Sequence, residues 1–151
     1  MAPQEAFPAP SYPNASILAI DDDISALHLI NATLRRAGYT AVHLCPDSRR
    51  APELFRIQAP DLVILDMLMP FVSGYELLGS FRITDVTVQI LILTGVVEAW
   101  WEAASLGASD FLVKPVVLKE LLHKMELLLT IRFLRREVAD LKRKLPPNAG
   151  G

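Results

Sequence analysis

The chain has 151 residues, of which 52% are hydrophobic and 21% charged, a balance typical of one globular domain and not of a disordered protein. The net charge is only −2, but residues 132–144 hold six basic and two acidic residues, so this stretch carries +4 and the remainder −6. The single cysteine excludes an internal disulfide, and no signal-peptide pattern opens the chain. No uncharged apolar run approaches the roughly 20 residues of a membrane span. We therefore expect a soluble, cytoplasmic protein.

The predicted elements begin after a proline-rich opening. Residues 1–15 contain four prolines and no hydrophobic periodicity, which predicts a flexible N-terminal extension. Short apolar runs bounded by polar residues, glycine or proline then predict five β-strands, at 16–20, 41–45, 62–65, 88–94 and 110–113.

Helical patterns alternate with these strands. Apolar residues from Ile24 onward repeat at three- and four-residue steps until Gly38, and Ser73 to Glu76 form a capping box that opens a later helix. Another helix ends at Gly107. Because the strands are almost continuously apolar and alternate with helices, we predict a single doubly wound α/β domain at 16–126, with a five-stranded parallel sheet covered on both faces.

Chemically active side chains cluster at the predicted carboxyl ends of the strands, where such sheets bind ligands. The sequence places three aspartates after the first strand, Asp66 after the third, Thr94 after the fourth and Lys114 after the fifth. Clustered carboxylates repel one another unless a cation lies between them, and a hard divalent ion such as Mg²⁺ prefers oxygen ligands. This set suits phosphoryl transfer onto a carboxylate.

Four segments resemble motifs of the receiver domains of two-component response regulators. They are "ILAIDDD", "DLVILDMLMPFVSGYE", "LILTG" and "GASDFLVKP", in the family's order and spacing across residues 17–125. The resemblance implies a flavodoxin-like fold with strand order 2-1-3-4-5 and a regulatory domain rather than a conventional enzyme. It also implies that a histidine kinase or a phosphotransfer protein supplies the phosphoryl group.

The resemblance assigns roles to individual residues of this chain. Asp66 corresponds to the phosphoacceptor, and Thr94 and Lys114 to the groups that bind the phosphoryl oxygens. The Mg²⁺ ligands are Asp21, Asp22, Asp66 and the backbone carbonyl of Leu68. Thr94 and Phe111 correspond to switch residues, and the peptide bond between Lys114 and Pro115 to a cis bond.

Two positions of the motifs admit other interpretations. The third aspartate, Asp23, suits the N-cap of the first helix, which leaves the first two for the metal. Phe111 also suits an ordinary core position.

Leu68 and Val96 are apolar where many relatives have polar residues, which favours a slowly decaying phosphoryl group because a hydrolytic water is harder to place.

Trp100 and Trp101 are adjacent on the fourth predicted helix. Neighbouring helical positions point about 100° apart, so both rings cannot lie in one core face. We expect at least one ring to be partly exposed, either as a half-buried aromatic at a helix edge or as an anchor for a protein partner.

The last predicted helix has no glycine or proline from residue 117 to 145 and is longer than the sheet requires. Its second half, 127–145, has apolar residues at alternating four- and three-residue steps: Leu127, Ile131, Leu134, Val138, Leu141 and Leu145. This heptad pattern favours a parallel two-stranded coiled coil, with Glu137 facing Lys142 of the second helix. The other interpretation is an amphipathic helix that packs on a missing part of the protein.

The residues at 146–151 read as a linker or tail, so we expect an output domain to follow in a longer regulator. The basic stretch by itself predicts no nucleic-acid binding, because no recognition motif accompanies it.

Two other functions remain compatible with parts of the pattern. A haloacid-dehalogenase-like phosphatase would use Asp-x-Asp after the first strand, which Asp21 to Asp23 contain, but it leaves Asp66 without a role. A receiver-like scaffold that is never phosphorylated would need only the dimerising helix.

Overall fold

The computed structural model describes residues 6–147, and the last four residues of the predicted tail lie outside this range. Five strands and five helices alternate along it. The elements are β1 (Ser16–Ile20), α1 (Ile24–Ala37), β2 (Ala41–Cys45), α2 (Ala51–Gln58), β3 (Leu62–Asp66), α3 (Gly74–Thr84), β4 (Gln89–Thr94), α4 (Ala99–Ser105), β5 (Asp110–Val113) and α5 (Leu118–Lys144). All strand pairs are parallel, in the order β2-β1-β3-β4-β5, which confirms the predicted fold and topology.

The sheet is buried on both faces because successive strand residues point to opposite sides. In β1, Ile17 and Ala19 pack with α1 and α5, whereas Leu18 and Ile20 pack with α2 and α3. The same division holds along β3 and β4. Continuous apolar strands are therefore the sequence signature of a sheet between two helical layers.

Local signals in the sequence set several helix ends. Asp23 caps α1 by accepting a hydrogen bond from the N–H of Ala26, at 3.2 Å, as the N-cap interpretation predicted. Gly38 ends that helix in the left-handed region, with φ of 115°. Ser73 accepts a hydrogen bond from the N–H of Glu76 at 3.3 Å and caps α3.

The described part of the N-terminal extension contacts the helices. Tyr12 stacks on Phe133 of α5 with ring centroids 4.6 Å apart, and the N–H of Ser11 donates to Glu126 at 2.8 Å. The N–H of Thr40 donates to the carbonyl of Pro13. Residues 1–5 lie outside the described residues. Tyr12, Ser11 and Pro13 make the contacts given above, and flexibility of residues 1–15 stays a prediction.

The long helix α5 is fixed to the amino-terminal edge of the sheet through Arg132. The side chain of Arg132 is 2% exposed, and its Nε lies 3.3 Å from Asp61 and its Nη1 2.9 Å from Asp85. Arg136, one turn later, is 3.1 Å from the same Asp61. After this point the helix residues are mostly exposed, and Leu145, the last predicted heptad position, follows the helix end. Within residues 6–147, no helix has the length and apolar character to cross a membrane.

Candidate functional site

The carboxyl ends of the strands bring the predicted carboxylates together. Asp21 follows β1 and Asp66 ends β3, and both are buried, whereas Asp22 is exposed. One carboxylate oxygen from each of the three lies within 4.8 Å of the others. Strand pairing explains this convergence, because Ile20 and Leu65 are partners in the β1–β3 ladder, so the residues that follow them are adjacent.

Lys114 joins this cluster from the end of β5. Its Nζ lies 3.2 Å from Oδ1 of Asp66 and 3.6 Å from Oδ2 of Asp21. Burial alone would lower the pKa of Lys114, but the two carboxylates outweigh it and raise the pKa above its ordinary value. The ammonium group therefore stays charged and partly offsets the repulsion between the aspartates.

The three carboxylates of the cluster still outnumber the single ammonium group of Lys114. Burial, followed by the charge of Asp21, raises the pKa of Asp66, although Lys114 opposes both effects. Oδ2 of Asp21 is buried and has no hydrogen-bond partner among the described residues. Because a buried carboxylate oxygen without a hydrogen bond is costly, and Lys114 at 3.6 Å is too far to supply one, the donor set fits a divalent cation with oxygen ligands.

The loop after β3 approaches Asp66 closely. The N–H of Leu68 donates to Oδ1 of Asp66 at 3.4 Å. At Gly74, an added Cβ would lie 2.5 Å from the backbone oxygen of Asp66 and 2.6 Å from Cα of Met67, so only glycine fits there.

Thr94 is buried at the end of β4, but its hydroxyl group contacts its own loop. Oγ1 donates to the carbonyl of Val96 at 3.0 Å and accepts from the N–H of Val96 at 3.1 Å. To donate to a phosphoryl oxygen on Asp66, this hydroxyl would have to give up the bond that it donates to the carbonyl of Val96. The peptide bond between Lys114 and Pro115 is cis, as the resemblance implies.

Phe111 of β5 is partly buried and lies between two helices. Trp100 of α4 stacks on it with centroids 4.9 Å apart, and Nζ of Lys124 on α5 lies 5.5 Å from the ring centre. Trp101 is 76% exposed. Thus the two adjacent tryptophans differ, one being packed on Phe111 and the other accessible to a partner.

Sequence reasoning missed two groups of residues near these elements. Arg132 lies in the basic stretch at 132–144, but the apolar pair Leu128 and Leu129 one turn earlier indicates that this side of the helix faces the core. Ser48 and Arg49, which contact the loop after Asp66, carried no recognisable pattern, because their contacts join segments distant along the chain.

Comparison with known proteins places the chain in a family. The response regulator receiver domain matches residues 17–126. The response regulator MprA of Mycolicibacterium vanbaalenii is 38% identical over 115 residues, covering 75% of this chain and 49% of that protein. The probable transcriptional regulator ycf27 of Cyanophora paradoxa is 34% identical, covering 75% and 47%. The chain thus spans about half the length of these curated relatives.

Solved structures agree with this assignment. The chemotaxis protein CheY4 of Vibrio cholerae matches with a TM-score of 0.71 and 32% identity, covering 76% of this chain and 98% of that one. NtrX from Brucella abortus matches with a TM-score of 0.79 and 28% identity, covering 84% of this chain and 29% of NtrX. This chain therefore belongs to the receiver domains of response regulators.

Proposed function

We propose that the chain accepts a phosphoryl group on Asp66 from a histidine kinase or a phosphotransfer protein, in a Mg²⁺-dependent reaction. The observation that carries this proposal is the buried pair of Asp66 and Asp21, with Nζ of Lys114 at 3.2 Å from Asp66 and one oxygen of Asp21 without a hydrogen bond. In a receiver domain such a cluster has the charge and donor groups that phosphoryl transfer requires.

The transfer joins an oxygen of Asp66 to phosphorus while the phosphorus–nitrogen bond of the donor phosphohistidine breaks. The leaving imidazole keeps the electron pair and takes a proton from solvent. Lys114 pairs with a phosphoryl oxygen and balances its charge. Asp21, Asp22, Asp66 and the carbonyl of Leu68 would hold Mg²⁺, which when bound neutralises charge on the transferring group.

The proposed conformational switch starts with the hydrogen bond that Thr94 donates to Val96. Its hydroxyl would redirect its O–H from the carbonyl of Val96 to a phosphoryl oxygen, which biases α4, Phe111 and α5 toward a second packing. In this proposal the domain promotes its own phosphorylation and dephosphorylation and is no turnover enzyme. Apolar Leu68 and Val96 beside the site favour slow loss of the phosphoryl group.

The family match and the geometry favour this function over the alternatives. A haloacid-dehalogenase-like phosphatase gives no role to Asp66, whereas Lys114 lies closer to Asp66 than to Asp21. A scaffold that is never phosphorylated gives no reason for the acidic cluster, in which one buried carboxylate oxygen has no hydrogen bond.

Acetyl phosphate tests the proposal without knowledge of the kinase. Incubation of the chain with acetyl phosphate and Mg²⁺ should add the mass of one phosphoryl group, measured by intact-protein mass spectrometry. Removing Mg²⁺ with a chelator should prevent the addition, and hydroxylamine should reverse it because it cleaves acyl phosphates. Absence of any adduct would favour the scaffold function.

We further propose a parallel homodimer through the second half of α5. Five of the six heptad residues named above form an exposed apolar stripe on this helix and Leu145 follows its end; each of the six is 38–60% exposed. They lie on the side of α5 away from Leu129 and Arg132, which face the sheet. A second copy of the same helix would bury the stripe and place Glu137 opposite Lys142.

Replacing Leu134 with Glu should make the chain monomeric, because it places a charge at the centre of the stripe. The dimer dissociation constant should rise by at least about a hundredfold, the cost of burying an unpaired charge at an interface. Light scattering across protein concentrations measures this. Ile57→Glu, at an apolar position on α2 with nearly the same exposed fraction as Leu134, is the matched control and should leave the mass unchanged. A wild-type monomer at all concentrations would contradict the dimer.

Light scattering with Mg²⁺ and beryllofluoride, a mimic of the acyl phosphate, separates two kinds of regulation. If the mass doubles only with the mimic, phosphorylation makes the dimer. If it is doubled in both conditions, the signal is a rearrangement within a constitutive dimer.

The surroundings of the domain follow as further parts of the proposal. Because the chain covers about half of its curated relatives, we propose that α5 leads to a C-terminal output domain. We also propose that this regulator works in the cytoplasm, where response regulators generally act. We propose no direct nucleic-acid binding by this chain, because no recognition motif accompanies its basic stretch. Trp101, exposed beside the Trp100–Phe111 stack, is the candidate contact for a protein partner.

A further inference from the structure

The loop that follows Asp66 contains a strained turn. The N–H of Val72 donates to the carbonyl of Pro70 at 3.0 Å and closes a three-residue turn centred on Phe71, whose φ is +71°. The positive-φ form of this turn is rare and strained, and a bulky aromatic residue adopts it at a cost. Since the Phe71 side chain is exposed, burial in the core does not hold the turn in place.

Ser48 braces this turn from the short 3₁₀ helix between β2 and α2 (Ser48–Arg50). Its buried hydroxyl donates to the carbonyl of Pro70 at 2.8 Å and accepts from the N–H of Val72 at 3.2 Å. These are the two backbone groups that close the turn. One side chain therefore stabilises both ends of the strained backbone.

Arg49 holds the side chain of Phe71. Its guanidinium carbon lies 3.9 Å from the centre of the ring, within range of a cation–π interaction. Asp47 orients the guanidinium through two hydrogen bonds, from Nε at 3.0 Å and from Nη2 at 2.9 Å. We call Asp47, Ser48 and Arg49, together with their contacts to residues 70–72, the loop clasp.

The loop clasp lies next to the acidic cluster. Asp22 lines the same cavity of about 230 Å³ as Arg49 and Phe71. The loop it braces includes Leu68, whose N–H reaches Asp66 and whose carbonyl is a proposed Mg²⁺ ligand. A relaxation of the turn would therefore move a metal ligand.

We propose that Ser48 and Arg49 are positioning residues for the Mg²⁺ site: they hold the strained turn at Phe71 so that Leu68 and Asp66 stay in the geometry that binds the ion. This inference rests on the proposed function, because it requires that Mg²⁺ bind at Asp66. The apparent affinity of a site falls with the fraction of molecules in the competent conformation, and loss of the clasp lowers that fraction.

Calorimetric titration of the full chain with Mg²⁺ tests this role. Ser48→Ala should raise the dissociation constant about tenfold, the equivalent of one or two lost hydrogen bonds. Arg49→Gln should raise it about threefold, since a partly exposed cation–π contact is weaker. Ser105→Ala, which removes an exposed hydroxyl bonded to the carbonyl of Glu102, and Arg36→Gln, which removes a guanidinium beside Phe7, are matched controls without effect.

A rescue variant separates positioning from general stability. Asparagine tolerates positive φ far better than phenylalanine, so Phe71→Asn in the Ser48→Ala background should recover most of the lost Mg²⁺ affinity. Amide hydrogen exchange of residues 67–73 without metal should quicken in Ser48→Ala and slow again in the double variant. A lower melting temperature for Ser48→Ala with unchanged Mg²⁺ affinity, or a double variant that binds no tighter, would overturn the inference.

The wild-type titration distinguishes the two proposals. If Mg²⁺ heats are absent, or persist unchanged in Asp66→Asn, the proposed function fails together with the inference. If wild-type binding depends on Asp66 and the clasp variants bind equally well, only the inference fails.

Discussion

Asp66→Asn should abolish phosphorylation by acetyl phosphate and, at neutral pH, make the folded chain more stable. The amide cannot serve as the nucleophile, so no phosphoryl adduct should form. The same substitution removes one charge from a buried cluster in which Asp21 lies close and burial already raises the pKa of Asp66. We expect the free energy of unfolding without Mg²⁺ to rise by about 1 kcal/mol.

The stability gain should depend on pH in a defined direction. The folded-state pKa of Asp66 is raised above its ordinary value of 3.8, so the folded chain binds this proton more readily than the unfolded chain does. The wild-type carboxylate therefore costs stability at neutral pH. That cost disappears as the pH falls through the raised pKa toward the ordinary one. Urea unfolding of both proteins at several pH values should show the advantage of Asn shrinking on acidification.

Two further variants make the Asp66 experiment specific. Asp140→Asn, at an exposed position far along α5, is the control and should be phosphorylated normally. Asp21→Asn should weaken Mg²⁺ binding while leaving Asp66 available as the acceptor. A chain that still gains a phosphoryl group in Asp66→Asn but not in Asp21→Asn would contradict the receiver mechanism and support the phosphatase.

The sequence predicted those parts of the site that depend on where strands end. Asp21, Asp66 and Lys114 follow apolar runs directly. A parallel sheet brings such positions to one edge regardless of the conformation of the connecting loops. Asp23 as an N-cap and Gly38 as a helix end were equally local signals. These features needed only the order of residues within one element.

The remainder depended on contacts between distant segments. Thr94 was correctly located at a strand end, but nothing local indicated that its hydroxyl bonds to Val96. The brace from Ser48 to Pro70 joins positions 22 residues apart, and the ion pair between Arg132 and Asp61 joins positions 71 apart. Periodicity within a segment carries no information about such pairs.

The ion pair between Arg132 and Asp61 should contribute strongly to the free energy of unfolding. Arg132→Ala should lower the free energy of unfolding by about 3 kcal/mol, the lower end of the range for breaking a buried ion pair. Asp61 is buried, and its Oδ2 also accepts the N–H of Ser16 at 2.9 Å, so it cannot turn toward solvent without cost. Arg136 still pairs with Asp61 in the variant, which is why we expect the lower end.

Chemical denaturation at several protein concentrations measures this loss apart from any change in self-association. Arg135→Ala is the matched control. Because the Arg135 side chain is exposed, its removal should change the free energy of unfolding by less than about 0.5 kcal/mol. Arg132→Lys should be intermediate, because an ammonium cannot reproduce the fork that reaches both Asp61 and Asp85. Full stability in Arg132→Lys would mean that charge alone matters.

We expect Arg132 to keep the first and second halves of α5 one continuous rigid helix. The helix α5 begins four residues after Lys114 at the acidic edge of the sheet and passes Arg132 at the opposite edge, before the exposed stripe continues. A shift at Lys114 can reach the stripe as a movement of one rigid helix only while α5 stays folded past Arg132. Hydrogen exchange should therefore quicken throughout residues 133–144 in Arg132→Ala, while residues 118–124 stay protected. Equal protection along the whole helix in that variant would show that Arg132 stabilises the fold without anchoring the extension.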